Sequence, residues 1–283
     1  MKSENNLKRD IVEVKDVKLQ RYSPIHTAGP VIEPGNWKKS DPFLLMMEDK
    51  FQKGSFDIHP HRGIETVTFV IDGTIEHYDS HTGDGGILGP GDVQWMTAGS
   101  GVVHNEVPSE GVTAHSLQLW VNLPRSEKMT TPRYQNLMAK DMPVRKEDGA
   151  LIRVFSGSSK DVISTTKNHV PVTMVEMVLE PGASVTQNLP GSYNGIIYLI
   201  EGSGIFGNNE VRASRGQVLW LGACKESGES EIDITATEPL RLVLYAGEPL
   251  MEPVVARGPF VMNTEEEIDQ AYLEYRQGTF LKH

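Results

Sequence analysis

The sequence has one cysteine, no long apolar run and no basic stretch. Cys224 is the single cysteine of 283 residues, so no disulfide can form within the chain, and such cysteine usage is typical of a reducing compartment. No segment approaches the run of about 18 apolar residues that a membrane span needs, and the first ten residues lack the apolar core of a signal peptide. We therefore expect a cytoplasmic protein without membrane association, in which Cys224 is a small buried side chain.

The charge balance is acidic, with a formal net charge of −11. Nucleic-acid binding depends largely on neutralising phosphates, and an acidic chain without a basic cluster lacks the means for it. The same balance gives no support to nuclear import. We expect no direct nucleic-acid partner.

Glycine and proline are abundant, with 27 and 17 residues, and they separate short runs rich in β-branched and aromatic side chains. Such runs, divided by turns such as Asp72-Gly73 and Glu201-Gly202, are typical of an all-β sandwich or barrel. The clearest runs are residues 65–71, 116–122, 195–200 and 240–245.

The pattern occurs twice. Residues Val67–Gly73 align with Ile196–Gly202 at an offset of 129, and Gly91–Met96 align with Gly216–Leu221 at an offset of 125. A strand, an acidic-Gly turn and a later Gly-x-Val-x-Trp strand therefore recur in the same order. The period is too long for a solenoid and indicates a duplicated β-domain.

The chain length and this duplication predict two domains, at residues 1–135 and 145–283. The segment from Pro124 to Gly149 is polar and has the composition of a linker.

One helix is predicted near the end of the second domain. Thr264 and Glu267 have the spacing of a capping box. An apolar face follows at helical spacing, and we expect it to pack on a barrel. Its members are Ile268, Ala271, Tyr272 and Tyr275.

Two pairs of metal-competent residues, His59 with His61 and His104 with Glu106, occur in the first copy. In an extended chain His59, His61 and Glu65 point the same way, and Val67, Phe69 and Ile71 continue their face into the interior. His104 and Glu106 form a second such pair, which would meet the first if their strands were neighbours. Three imidazoles and a carboxylate suit Fe(II), and also Mn, Ni, Cu or Zn.

The alternative is that these histidines are surface residues or hydrogen-bonded core residues. The second copy serves as a control, because it keeps the strand pattern and has lost all three histidines. A purely structural role would require substitutes there, so their loss favours a function in the first copy. The equivalent positions are Asn188, Pro190, Glu229 and Glu231.

Other residues are assigned to the fold. We expect His115 to be a hydrogen-bonded barrel residue, although its position could line a pocket, and His77 and His81 to lie at the surface. Trp95 and Trp220 occupy equivalent positions in the repeat and are expected to be fold residues. Core gaps are expected to be filled by Met46, Met47 and Met96.

The motifs resemble those of a known family. Gly54-x4-His59-x-His61-x3-Glu65-x7-Gly73, followed by Gly91-Asp-x6-Gly99-x4-His104, is similar to the two cupin motifs in order. His59-Pro-His-Arg-Gly63, Leu117-Gln-Leu-Trp-Val-Asn-Leu123 and Gly258-Pro-Phe-Val-Met-Asn-Thr264 resemble the pirin family more narrowly.

This resemblance implies an all-β protein of two tandem cupin (jelly-roll) barrels with a C-terminal helix. It implies one iron, expected as Fe2+, in the N-terminal barrel and none in the C-terminal barrel. The ligand roles transfer to His59, His61, His104 and Glu106, and Glu65 is expected to orient a ligand or water beside them.

The resemblance also implies two functions. Pirin-like proteins include dioxygenases that open the heterocyclic ring of quercetin with O2, and here Glu106 would be both ligand and base. Other pirins regulate transcription factors or metabolic enzymes by binding them, which implies a protein partner. A third possibility is a metal-binding cupin with another small substrate.

Overall fold

The structure, a computed structural model, describes residues 7–80, 83–224 and 228–282, without the side chain of residue 84. Most of the described chain is β-strand. Up to residue 108 the elements are β1 Leu7–Lys8, β2 Ile11–Asp16, β3 Gln20–Ser23, β4 His26–Ile32, α1 Trp37–Ser40, β5 Phe43–Phe51, β6 His59–His61, β7 Ile64–Asp72, β8 Ile75–Asp79, β9 Gly83–Leu88, β10 Val93–Thr97 and β11 Val102–Pro108.

The later elements include one long helix. They are β12 Ala114–Asn122, β13 Arg133–Leu137, β14 Val144–Glu147, β15 Ala150–Ser156, β16 Ser158–Ser159, β17 Val162–Ile163, β18 Val172–Leu179, β19 Ser184–Pro190, β20 Asn194–Glu201, β21 Ser203–Phe206, β22 Val211–Ser214, β23 Gln217–Leu221, β24 Glu229–Ala236, β25 Leu240–Gly247, β26 Val255–Arg257, β27 Phe260–Met262 and α2 Glu265–Gln277. Short 3-10 turns lie at Arg125–Glu127 and Ala139–Asp141.

The first barrel, residues 19–140 with 250–282, is built from two sheets. Its larger sheet has the order β13-β10-β7-β12-β5-β4-β3, and its smaller sheet has the order β6-β11-β8-β9. Side chains of both sheets line one cavity, so the space between the sheets is partly open to a ligand.

The second barrel, residues 7–18 with 141–249, repeats this plan. A seven-stranded sheet, β14-β15-β18-β25-β20-β23-β2, is accompanied by a sheet of order β1-β24-β21-β22 in which β19 also pairs with β24. Buried aliphatic side chains from both sheets, such as Val154, Ile197 and Ile232, form one continuous core. This interior is therefore packed with apolar side chains.

The repeat seen in the sequence recurs in the register of the strands. Trp95 lies opposite Val67 where β10 pairs with β7. Trp220 lies opposite Ile196 where β23 pairs with β20. These are the residues that the two sequence offsets align, so the duplication extends to individual backbone pairs. Both tryptophans are buried, as expected of fold residues.

Each compact unit contains one end of the chain that is distant in sequence from the rest of that unit. The division predicted from the sequence, 1–135 and 145–283, is instead contiguous. Residues 7–18 belong to the second barrel because β1 pairs with β24 and β2 pairs with β23. Residues 250–282 belong to the first barrel. Strand pairing between distant segments decides this grouping, and local sequence pattern does not reveal it.

Helix α2 has the predicted capping box, in which the Thr264 side chain accepts from the backbone N–H of Glu267. Ile268 and Ala271 are buried, whereas Tyr275 is 41% exposed. The helix packs on the first barrel. Its buried residues form one apolar cluster with Phe260 and Met262 of β27. No helix of the described residues is long and apolar enough to cross a membrane.

Three smaller expectations differ from the structure. Part of the expected linker forms β13, which pairs with β10 in the large sheet of the first barrel. Met46 and Met96 are buried, but Met47 lines the cavity rather than the core. Cys224 is only half-buried.

Candidate metal centre

Three histidines of the small sheet in the first barrel form one cluster. Strand β6 supplies His59 and His61, and β11 supplies His104. The strands are antiparallel, with His59 opposite His104, so alternation places all three rings on one side. One ligand nitrogen from each lies within 4.8 Å of the others. The predicted meeting of the two histidine segments is therefore observed.

Backbone carbonyls orient two of these imidazoles. The Nδ1 of His59 lies 2.8 Å from the carbonyl oxygen of Asp57, and the Nδ1 of His61 lies 3.3 Å from that of Pro259. A carbonyl only accepts, so Nδ1 carries the proton in each ring and Nε2 keeps a free lone pair. Hydrogen bonds of this kind, from the other ring nitrogen to a carbonyl oxygen, usually fix the orientation of a metal-binding imidazole.

His104 gives the strongest indication that this cluster binds a metal. Its side chain is completely buried, and neither ring nitrogen has a hydrogen-bond partner among the described residues. A buried polar atom without a partner costs about 1–3 kcal/mol, so such atoms are rare unless an ion or water satisfies them. A metal held between the three histidines would satisfy one nitrogen, and the residues present fit such an ion.

Burial also keeps two of the histidines neutral. Desolvation, with a smaller contribution from the neighbouring His59, lowers the pKa of His61 to about 3. Desolvation and the adjacent histidines lower the pKa of His104 well below its ordinary value. A neutral imidazole is the form that binds a metal, so the site needs no deprotonation at physiological pH.

Glu106 lies beside the cluster and not within it. It alternates with His104 on β11 and lines the same cavity. Its carboxylate accepts from the Thr68 hydroxyl at 2.6 Å and from the Gln118 amide at 3.2 Å, and it lies outside the 4.8 Å group. A side-chain rotation would be needed for ligation, so its ligand role stays a prediction.

Glu65 occupies the other face of β7. Thr68 lines the cavity, and strand alternation places Glu65 on the opposite side with Val67. The Thr97 hydroxyl donates to the buried Glu65 carboxyl at 2.6 Å. Burial, partly offset by this hydrogen bond, raises its pKa to about 7. Its expected role beside a ligand stays a prediction.

The common face expected for His59, His61 and Glu65 is interrupted between β6 and β7. Gly63 lies there with φ of +77°, a conformation that L side chains rarely adopt. A Cβ at this position would lie 1.9 Å from the carbonyl oxygen of Val261. The close approach of β27 thus fixes the break, and the alternation starts anew in β7.

His77 is buried and not at the surface, so that expectation is wrong. Its ring lies 5.1 Å from that of His104 and 4.9 Å from that of Tyr134. Strand β8 places His77 opposite Glu106 and Asp79 opposite His104. Ile75, His77 and Asp79 are spaced two residues apart, so they share one face of β8, and the apolar Ile75 is the sequence signal that this face points inward. His81 lies outside the described residues.

His115 is a hydrogen-bonded barrel residue, as expected. Its Nε2 lies 2.8 Å from the Glu48 carboxylate, and both side chains are mostly buried.

A cavity of about 470 Å³ adjoins the cluster. Its walls are mainly apolar and aromatic, with a few polar groups, as is usual for small-molecule sites. The lining residues that matter below are Tyr22, His26, Leu45, Met47, Asp49, Phe51, Phe56, His59, His61, Thr68, Glu106, Gln118 and Trp120.

The second barrel differs at the equivalent strands. β19 pairs with β24, but there the inward positions hold apolar side chains such as Leu189 and Ile232. Across the described ranges, the His59–His61–His104 group is the single cluster of metal-competent residues found. Two barrels with one histidine cluster define a bicupin with a candidate metal centre in its first barrel.

Comparison with known proteins gives the family. Residues 20–121 match the family model described as pirin, and residues 174–281 match the pirin C-terminal cupin domain. Pirin-like protein 2 of Arabidopsis thaliana is 38% identical over 280 residues, which cover 98% of this chain and 87% of that protein. The chain belongs to the pirin family.

Two solved structures support the same fold. A crystal structure of a protein from Geobacillus kaustophilus is 62% identical, with a TM-score of 0.87, and the match covers 88% of this chain and all of that one. A quercetin 2,3-dioxygenase from Acinetobacter baumannii is 30% identical, with a TM-score of 0.83, over 96% of this chain and 98% of that one.

Proposed function

We propose that this protein is a metal-dependent dioxygenase that opens the heterocyclic ring of a flavonol such as quercetin with O2, at a mononuclear iron in the first barrel. The observation that carries the proposal is the cluster of His59, His61 and the unpartnered His104 at the wall of an apolar cavity. The relative named quercetin 2,3-dioxygenase adds support.

The metal would be held by His59, His61 and His104, with Glu106 as a fourth ligand after rotation of its side chain. A divalent metal bound there supplies Lewis acidity to the 3-hydroxyl and 4-carbonyl oxygens of a flavonol and the redox chemistry that O2 requires. Mn, Ni, Cu or Zn would suit the same donors, so iron stays a prediction, as does a cytoplasmic location.

Glu106 is proposed to accept the proton of the 3-hydroxyl. Its carboxylate faces the cavity, where Thr68 and Gln118 hold it by hydrogen bonds of 2.6 and 3.2 Å. The proton passes from the substrate oxygen to a carboxylate oxygen, and the substrate becomes the flavonolate. In its hydrogen-bonded position, before it rotates toward the metal, Thr68 and Gln118 orient the carboxylate for this transfer.

The cavity walls are proposed to orient the flat substrate. Leu45, Met47 and Trp120 line the part beside the cluster, and the Trp120 ring lies 5.0 Å from that of His61. Apolar walls exclude water from the reacting carbons and hold the ring plane in one orientation.

Oxygen uptake and carbon monoxide release, on adding quercetin to protein reconstituted anaerobically with Fe(II), test this proposal. We expect turnover in the wild type, loss in His59→Ala and His104→Ala, and retention in His115→Gln, whose histidine is outside the cavity. Tight binding of iron without turnover of quercetin would contradict the proposed dioxygenase activity. It would favour the regulator hypothesis, in which metal-dependent binding to a partner protein is the measured property.

A further inference from the structure

The cavity continues well beyond the histidine cluster, along strand β5. Leu45, Met47, Asp49 and Phe51 all line it, because every second residue of a strand faces the same side. At about 3.3 Å per residue, Met47 and Phe51 are about 13 Å apart along the strand. The cavity is therefore long enough to hold more than the group that chelates the metal.

The cluster lies toward the Leu45 end of this row. Trp120, which contacts the His61 ring, lies opposite Leu45, and Gln118, which donates to Glu106, lies opposite Met47. The chelating part of a substrate would therefore lie beside Leu45 and Met47.

A different group of side chains surrounds the Phe51 end. His26 lies opposite Phe51, where β4 pairs with β5. The Phe56 ring is 4.9 Å from His26 and 5.0 Å from Phe51, and Tyr22 stacks on His26 at 5.6 Å. Tyr22 is 63% exposed although it lines the cavity, so this end lies near solvent.

A hydrogen-bonded carboxyl group lies among these rings. The Nε2 of His26 is 2.8 Å from Oδ1 of Asp49, and the Asp49 side chain is 9% exposed. Burial raises the pKa of Asp49, against the opposing contribution of His26. A carboxylate at an aromatic-walled cavity is a strong acceptor for a hydroxyl group on a ring that enters between the walls.

We propose that Tyr22, His26, Asp49, Phe51 and Phe56 form a distal subsite, which binds the pendant ring of the substrate through its faces and accepts a hydrogen bond from a phenolic hydroxyl at Asp49. The proposal rests on the proposed function and narrows the substrate class. The preferred flavonols carry a hydroxyl on the pendant ring, and that ring lies toward Tyr22 while the chelating oxygens lie toward His61.

The test compares two flavonols, quercetin and galangin, of which galangin lacks hydroxyls on the pendant ring. Wild-type protein is expected to bind quercetin about tenfold more tightly than galangin, because one hydrogen bond to a charged group contributes about this much to affinity. Asp49→Asn should lose most of this preference, and Phe56→Ala should raise KM for both flavonols. Binding is also measured without O2, by quenching of protein fluorescence.

Glu48→Gln is the matched control. Glu48 adjoins Asp49 on β5 and also pairs with a histidine, His115, but it faces away from the cavity. Breaking a histidine–carboxylate pair should lower the melting temperature of both variants by a similar amount. Only Asp49→Asn should change the flavonol preference, and Glu48→Gln should keep the preference of the wild type.

The outcomes separate the two proposals. Turnover of both flavonols with the same preference in wild type and Asp49→Asn would overturn the subsite and leave the dioxygenase standing. Neither binding nor turnover of either flavonol in iron-loaded wild type would overturn both. Loss of preference in Asp49→Asn alone supports the subsite.

Discussion

The Nδ1 of His61 lies 3.3 Å from the carbonyl oxygen of Pro259, so the C-terminal segment orients a residue of the histidine cluster. Next to it, Lys128 donates to the carbonyl oxygens of Gly63 and Val261, and Arg62 pairs with Glu274 of α2. The segment that contains α2 thus supports the strand that carries His59 and His61. Because residues 250–282 belong to the first barrel, they can hold the histidine-bearing strand β6 in position.

The Arg62–Glu274 pair should anchor α2. The pair is mostly buried at 2.7 Å, and the Arg62 guanidinium lies 4.4 Å from the centre of the Phe280 ring. Glu274→Gln leaves Arg62 without its counter-charge and should lower the free energy of unfolding by about 3–5 kcal/mol. Urea unfolding measures this. Glu265→Gln, in the exposed Arg257–Glu265 pair of the same helix, is the control and should change little.

Gly63→Ala should destabilise the protein strongly, because the added Cβ would lie 1.9 Å from the carbonyl oxygen of Val261. We expect a loss of about 2–4 kcal/mol, from the clash and the strained φ together. Gly111→Ala isolates the second effect, since Gly111 has φ of +76° and open space around it. Equal losses in the two variants would contradict the role of the β27 contact.

Glu65 should make stability depend on pH. Its pKa of about 7 in the folded state is above the ordinary value of 4.5 for a glutamate, so the folded protein holds the proton more tightly. The stabilisation is complete below pH 4.5 and is lost as pH rises to 7, a change of about 3 kcal/mol. Glu65→Gln should remove this dependence.

Denaturation at several pH values measures the effect. Glu110→Gln is the control, because that side chain is 85% exposed and should leave the pH dependence as in the wild type. A curve for Glu65→Gln that is parallel to the wild-type curve between pH 4.5 and 7 would disprove the assignment.

Glu106 and Glu65 are distinguished by metal retention. If Glu106 rotates to become a ligand, Glu106→Gln should weaken iron binding by about tenfold or more, whereas Glu65→Gln should keep it. Competition with a chelator measures both affinities. Retention in Glu106→Gln combined with loss in Glu65→Gln would reverse the two roles.

Short-range pattern and the internal repeat were sufficient for much of the site. His59, His61 and His104 could be selected because their equivalents in the second copy are Asn188, Pro190 and Glu229. The capping box of α2 was likewise visible as Thr264 and Glu267, because both groups lie within one helical turn.

Contacts between distant segments account for what the sequence did not reveal. The sequence predicts an unbroken alternation from His61 to Glu65, but the carbonyl group of Val261 forces a break at Gly63. His77 is buried because β8 pairs with β11 and because Tyr134 covers it from a segment with the composition of a linker. The exchange of the chain ends depends in the same way on long-range strand pairing.

The metal centre is tested most directly by the iron content of protein reconstituted anaerobically with Fe(II) and freed of excess metal. We predict about one iron per chain in wild type and in His115→Gln, and almost none in His61→Ala or His104→Ala. Far-ultraviolet circular dichroism verifies that each variant is folded. Wild-type iron content in folded His104→Ala would contradict a metal centre at the three histidines.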